Sequence, residues 1–259
     1  GLPQVFNFEL VTAKWDALTI RKAIEATLAL AGGSRAPWVI GNHDVRRPVT
    51  RWGARAARAA ALLLLALPGS AYMYQGEELG LPEVLDIPAA ARRDPAFRRT
   101  GGKVLGRDGC RVPLPWSTGG PSFGFSGTDP ASSPAPPWLP QPADWGAYSV
   151  AAQQEDPSSF LRLYQAALRL RSDNPALGLG ADPGADPGLG LGSPTGGGIR
   201  WLDSPADALL FARDPGFLFA ANLGGRPLPL PPHREVLLAS GPLTPGNALP
   251  RDTAVWLAS

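Results

Sequence analysis

Apolar positions along the first part of this chain alternate between strand period and helix period. Val5 to Leu10, V-F-N-F-E-L, intersperses large apolar residues with Asn7 and Glu9, the spacing of a short strand. Ile20, Ala23, Ile24, Thr27, Leu28 and Ala31 then follow the i, i+3, i+4, i+7 rule of a helix, behind Asp16 as its cap and ahead of Gly32-Gly33 as its stop. Trp38, Val39 and Ile40 make a second β-prone run, closed by Gly41. From about Arg51 to Leu67 the pattern predicts another helix, with Ala56, Ala59, Ala60, Leu63, Leu64 and Leu67 on one face and a solvated stripe of Arg51, Arg55 and Arg58 on another. Pro68-Gly69 breaks that helix, and Tyr72 to Tyr74 reads as the next buried strand. Strand, helix, strand, helix, strand in this order implies βαβ units and a parallel sheet.

Residues 81–146 lose this regularity. They are rich in Pro, Gly, Ser and Trp, and a loop of that length leaving the C-terminal end of a parallel strand suits a substrate-side excursion. Asp156-Pro157 predicts a cap and first turn for a helix marked by Phe160, Leu163, Tyr164, Ala167 and Leu168, ending near Arg171. A Gly/Pro-rich linker, 173–198, follows with the tandem repeat A-D-P-G, A-D-P-G. After it, the short runs Ala208 to Ala212, Phe217 to Ala221, Glu235 to Leu238 and Ala254 to Leu257 lie between Pro and Gly turns, which predicts a small antiparallel β domain over 199–259.

Composition narrows the function classes. A hydrophobic content of 44% over 259 residues is ample for a core, and a net charge of +2 gives little field for capturing nucleic acid. The longest apolar run, Ala59 to Leu67, falls well short of the roughly 20 residues that span a bilayer, so no membrane partner is expected. The single Cys110 cannot form an internal disulfide, which points to a reducing, cytoplasmic compartment, and with no His beside it in sequence it reads as inert. His43 and His233 are the only histidines, and no Cys, His and carboxylate cluster has ligand spacing, so neither a metal nor another cofactor is expected.

The candidate chemistry gathers at Pro37 to Arg47, P-W-V-I-G-N-H-D-V-R-R. A buried strand delivers an amide, an imidazole, a carboxylate and guanidinium groups at its C-terminal end, where active sites of parallel α/β barrels form. By itself, N-H-D after a short strand reads more readily as an Asx-turn with a capping Asp. Glu77 and Glu78 resemble a catalytic pair only superficially, since neighbours on a strand point to opposite faces. Trp116, Trp138 and Trp145 suit either stacking platforms for a ligand or pins for the loop, and Arg111 either a substrate contact or a salt bridge within it.

Three ordered stretches carry a resemblance. Asn42-His43-Asp44 with Arg47 resembles the seventh-strand motif N-H-D-x-x-R of the α-glucosidase branch of the α-amylase superfamily, the family 13 glycoside hydrolases. Ala71 to Gly80, A-Y-M-Y-Q-G-E-E-L-G, is similar to the eighth strand of those enzymes, and Arg107 to Trp116, R-D-G-C-R-V-P-L-P-W, to the segment after it. Ordered matches of this kind are far more specific than one short motif. The resemblance covers residues 4 to 172 well and 199 to 259 loosely.

The resemblance implies an α/β fold: the C-terminal part of a (β/α)8 TIM barrel, strands 6 to 8 in residues 1–172, followed by a small antiparallel β-sandwich domain, with D-T-A-V-W-L at 252–257 as its closing strand. It implies a retaining α-glucosidase acting on short malto- or isomalto-oligosaccharides. Asp44 would be the catalytic transition-state stabiliser, while His43, Arg47, Asn42 and Arg111 bind substrate; Arg47 orients the site's carboxylates and Asn42 shapes the turn. The nucleophile and acid/base have no counterpart here, so the implied partners are an oligosaccharide and the missing N-terminal part of the same barrel, and the chain alone is expected to be inactive. A trehalose synthase-like transglycosylase or isomerase and a non-catalytic carbohydrate-binding subunit are the alternatives.

Overall fold

A computed structural model describes residues 8–30, 36–126, 136–177 and 198–259 of the chain. They fall into two compact units, one made of Gly1–Ile40, Arg55–Tyr72 and Tyr164–Ser259, the other of Gly41–Ala54 and Met73–Leu163.

The first unit opens on helices α1 (Glu9–Thr12) and α2 (Ala17–Leu30). The strand expected over Val5 to Leu10 is therefore not seen where it can be assessed: residues 5–7 lie outside the described residues, and Glu9 and Leu10 are helical. The backbone closes its hydrogen bonds locally, and Thr12 donates both its N–H and its hydroxyl to the Phe8 carbonyl. Helix α2 begins as expected, Asp16 Oδ1 accepting from the Thr19 amide at 2.8 Å.

Strands β1 (Pro37–Val39) and β2 (Ser70–Tyr72) pair in parallel, from Pro37 opposite Ser70 to Val39 opposite Tyr72. The expected parallel order is thus present, but β2 starts earlier than Tyr72 to Tyr74 and is not buried. Tyr72 and Met73 are each 39% exposed. The turn before β2 needs a glycine: Gly69 sits at φ +105°, and a Cβ there would lie 2.3 Å from the Ala36 carbonyl.

The helix expected from Arg51 to Leu67 is two helices, α3 (Pro48–Trp52) in the second unit and α4 (Ala54–Ala66), divided at Gly53 with φ +86°. Helix α4 is buried almost all round, including Ala57, Ala61, Leu62 and Leu65 off the expected face. Its arginines are not a solvated stripe. Only Arg55 is exposed; Arg58 is partly buried, donating from Nε to the Ser240 carbonyl at 2.6 Å. At its C-terminus the last carbonyls, which have no partners within a helix, are met by buried cations. Arg171 donates to Leu65, Leu67 and Gly69, and Arg213 Nη1 to Ala66 at 2.9 Å. Burial lowers the pKa of both guanidinium groups to about 10, still well above neutral.

Two further helices precede the sheet, α5 (Pro95–Arg99) and α6 (Val150–Glu155), both in the second unit, with α7 (Phe160–Asp173) leading back into the first. Helix α7 starts later than Asp156-Pro157 predicts. Asp156 instead binds the Ser158 amide, and Ser159 Oγ accepts from the Arg162 amide as the helix cap. The repeat within the expected linker lies outside the described residues.

The four expected β runs form β4 (Ala208–Arg213), β5 (Phe217–Asn222), β7 (Glu235–Ala239) and β9 (Thr253–Ala258), joined by three short strands that were not expected, β3 (Arg200–Trp201), β6 (Leu228–Pro229) and β8 (Ala248–Leu249). One antiparallel sheet has the order β3-β4-β5-β9-β7, and β6 pairs with β8. The expected closing strand is last in sequence but interior in the sheet, paired with both β5 and β7. Side chains alternate across the three central strands with period two. Leu210, Leu218, Ala220, Val255 and Leu257 pack with Leu228 and Leu249 of the small β6–β8 pair. On the opposite face Phe211 stacks on Phe219 at 4.8 Å, Phe217 meets Trp256 edge-on at 5.6 Å, and Trp256 Nε1 reaches the Leu62 carbonyl of α4 at 3.1 Å. Both faces are therefore covered, which accounts for near-continuous apolar strands.

Candidate active site

The second unit takes up the chain at Gly41 and carries every residue singled out for chemistry. Asn42 Oδ1 accepts from the Asp44 amide at 2.8 Å and the Val45 amide at 3.1 Å, an Asx-turn. That turn lifts the next side chains into solvent, His43 at 62% and Asp44 at 47% exposure.

Asp44 is the centre of a small charged cluster. Its Oδ1 accepts from Arg107 Nη1 at 2.8 Å and Arg111 Nη2 at 3.1 Å, while Oδ2 lies 3.5 Å from His43 Nε2. The Arg107 hydrogen bond holds the Asp44 carboxyl below the usual carboxylate range, with the charges of His43 and Arg111 acting the same way. Arg111 is also tied to backbone, donating from Nε to the His43 carbonyl at 2.9 Å.

Arg47 behaves differently. It is 2% exposed, and its guanidinium donates to the carbonyls of Gln75 at 3.0 Å and Cys110 at 2.9 Å rather than to the carboxylates it was expected to orient. A carboxylate does reach its backbone: Glu83 Oε2 accepts from the Arg47 amide at 3.1 Å. Burial lowers the Arg47 pKa, and the Tyr74 hydroxyl joins the same Cys110 carbonyl at 3.0 Å. Arg47 thus bolts together three segments distant in sequence. Cys110 is buried among them, its thiol pushed up to about 11 by that burial, which agrees with an inert residue.

Two residues not singled out by sequence complete the cluster. Arg107 Nε donates to Asp94 Oδ2 at 2.7 Å, and its amide to the same oxygen at 3.0 Å. Asp94 also caps α5 through the Ala96 amide at 2.8 Å, and Asp108 in turn binds the amides of Arg93 and Asp94. The signals were present: Arg107 opens the third motif, and Asp94-Pro95 has the same cap-and-proline form read at Asp156-Pro157. Hydrogen bonds from Arg107 and Ala96 lower the Asp94 pKa from 3.8 to about 2. A depressed pKa adds stability above the unfolded value and loses it as pH falls through the folded one. Acid unfolding should therefore contain a component between pH 3.8 and about 2 that Asp94→Asn removes, read by circular dichroism against pH.

A cavity of about 170 Å³ opens beside the cluster, lined by Arg47, Tyr74, Gln75, Arg111, Trp116 and Phe125 among others. Asn42, His43 and Asp44 are not part of its wall. Trp116 and Phe125 are about half exposed there, whereas Trp138, 73% exposed, lies under Arg93 at 4.8 Å. Trp145 is buried at 1% with Leu79, Leu81, Val84, Ile87, Val112 and Leu139, so it is a pin of the long loop and no platform. Glu77 and Glu78 lie in turns rather than on a strand: Glu77 is buried, and Glu78 folds back onto the Gly76 amide at 2.8 Å. Among the described residues no group of three His, Cys, Asp or Glu side chains could hold a metal ion, and no helix is long and apolar enough to cross a membrane.

Residues 4–180 match the family model described as the alpha amylase catalytic domain. The chain belongs to the alpha-amylase family. This is the family that the three motifs indicated. Among its curated relatives a probable alpha-glucosidase of Rhizobium meliloti is 38% identical over 151 residues, covering 56% of this chain and 26% of that protein. The salivary alpha-glucosidase of Anopheles gambiae is 34% identical over 170 residues, covering 61% and 27%. The chain thus spans about a quarter of these relatives' length. An alpha-glucosyl transfer enzyme of known structure, XgtA, superposes with a TM-score of 0.76 at 32% identity, over 98% of this chain and 45% of that one. The trehalulose synthase MutB of Pseudomonas mesoacidophila gives 0.74 at 22% identity over 98% and 50%, a likeness of fold. The antiparallel sheet at the C-terminal end of this alpha-amylase family chain lies within that shared fold.

Proposed function

We propose that this chain is the C-terminal part of a retaining α-glucosidase that releases α-linked glucose from short malto- or isomalto-oligosaccharides. The observation that carries the reading is the ionised, half-exposed Asp44 on the N-H-D turn, held by Arg107 and Arg111. In this reading β1 and β2 are the seventh and eighth strands of a (β/α)8 barrel, residues 1–172 belong to that barrel with 81–146 as its substrate-side loop, 173–198 is a linker, and 199–259 is the β domain that follows. A retaining glycosidase divides its chemistry between a carboxylate nucleophile and a carboxylic acid about 5–5.5 Å apart. Both would come from the remaining part of the enzyme, consistent with the quarter of the relatives' length spanned here.

Asp44 then acts as a third carboxylate. Its negative charge faces the developing oxocarbenium ion and its free oxygen accepts from sugar hydroxyls, contacts that strengthen in the transition state and so lower the barrier. His43 donates to a hydroxyl of the same ring, Arg111 lies within reach of substrate, Asn42 fixes the turn and can meet the sugar beside it, and Arg47 holds the floor together.

The test is direct. The purified 259-residue chain should release no glucose from maltose or a nitrophenyl α-glucoside, while the full-length enzyme does; glucose release by the chain alone would be incompatible with catalytic carboxylates lying elsewhere. A second reading, transfer of the glucosyl group to a sugar acceptor, is favoured by the match to a glucosyl transfer enzyme over 98% of this chain. Product analysis of the full-length enzyme at high maltose separates the two: glucose alone for hydrolysis, new glucosides for transfer.

A further inference from the structure

Asp44 is held unevenly. Its Oδ1 sits between two guanidinium groups, each of which is anchored by its own Nε: Arg111 on the His43 carbonyl, Arg107 on the buried Asp94 carboxylate. No hydrogen bond reaches Oδ2 from any described residue, and His43 Nε2 lies 3.5 Å from it. The two anchors are not equivalent. The Arg111 side chain bonds twice to the turn that carries Asp44, at Asp44 and at the His43 carbonyl, whereas Arg107 ties Asp44 to a carboxylate outside that turn. That carboxylate is well braced: Asp94 is 3% exposed at its side chain, accepts from the Ala96 amide, the Arg107 amide and Arg107 Nε, and is itself fixed by Asp108.

We infer that Arg107 is a positioning residue, which carries the rigidity of the buried Asp94 to Asp44 and, by occupying Oδ1, leaves Oδ2 turned to the ligand beside His43. A guanidinium suits this task because its planar fork can bind one carboxylate through Nε and a second through Nη1 in a fixed relative direction, which an ammonium cannot do. The inference rests on the proposed role of Asp44, and its test separates the two.

In the full-length enzyme Arg107→Met should lower kcat roughly tenfold to a hundredfold, the cost of a slightly misplaced catalytic group, with KM little changed. On an Asp44→Asn background the same replacement should cost nothing further, since two residues acting through one contact are not additive. Arg107→Lys, which keeps the charge and loses the fork, should fall between parent and Arg107→Met. Equal fold-losses on both backgrounds would overturn the inference, as would full activity in Arg107→Met. If Asp44→Asn itself leaves kcat unchanged, the glycosidase reading of Asp44 fails, and the contact is then judged by titration. The infrared difference between proteins with and without Asp44→Asn isolates this carboxylate among its neighbours Arg107, Arg111 and His43. Its midpoint should rise when Arg107 is replaced by Met, and an unmoved midpoint would overturn the inference independently of activity.

Discussion

Asp44→Asn in the full-length enzyme should lower kcat by on the order of 10² to 10³, the range found when one electrostatic contact to a transition state is removed. Asparagine keeps the size of the side chain, and its carbonyl can still accept from Arg107 or Arg111. The Asx-turn is made by Asn42 and the backbone amides of Asp44 and Val45, so the fold of the segment is unaffected. What disappears is the negative charge. The ground state of the sugar is neutral and the transition state is not, so the loss should fall on kcat and on kcat/KM together rather than on KM. Circular dichroism identical to the parent with a kcat within a few-fold of it would remove Asp44 from the chemistry.

Trp256→Ala should destabilise the first unit by about 3–5 kcal/mol, the cost of deleting a large aromatic side chain from a packed interior. Trp256 has no exposure, stands edge-on to Phe217, and is the point at which the interior strand β9 meets α4 through the Leu62 carbonyl. Removing it opens a void on the aromatic face of the sheet and deletes the indole hydrogen bond to α4 at the same time. Trp256→Phe separates the contributions, since it retains most of the packing and loses the indole N–H; the lost hydrogen bond should cost about 0.5–1.5 kcal/mol. Urea unfolding of each variant gives the order expected, Ala worse than Phe worse than parent. A cost below about 1 kcal/mol for Ala, the usual size for an ordinary substitution, would mean that this face is not packed as described.

Much of the molecule was legible in the sequence wherever the causal contact is short in chain distance. The cap on α2 spans three residues, the Asn42 turn two or three, and the apolar runs of β4, β5, β7 and β9 announce strands directly. Ordered motifs also identified the family, because they record a whole fold's requirements at several separate places. Length and exposure of elements were less legible. A glycine at positive φ divided α3 from α4 without disturbing the apolar pattern, and Arg58, which read as solvated, turned out to serve the Ser240 carbonyl.

The tertiary structure alone decided which charge meets which. The Asp44 to Arg107 contact spans 63 residues and the Arg107 to Asp94 contact 13, across a loop with no periodicity to predict its path. Arg47 was sent to backbone carbonyls because it is buried where three segments converge, and a buried guanidinium must find acceptors wherever they lie. Residue type and local spacing therefore determined the turn, the strands and the family, while the direction of each long cation depended on how distant backbone was folded around it.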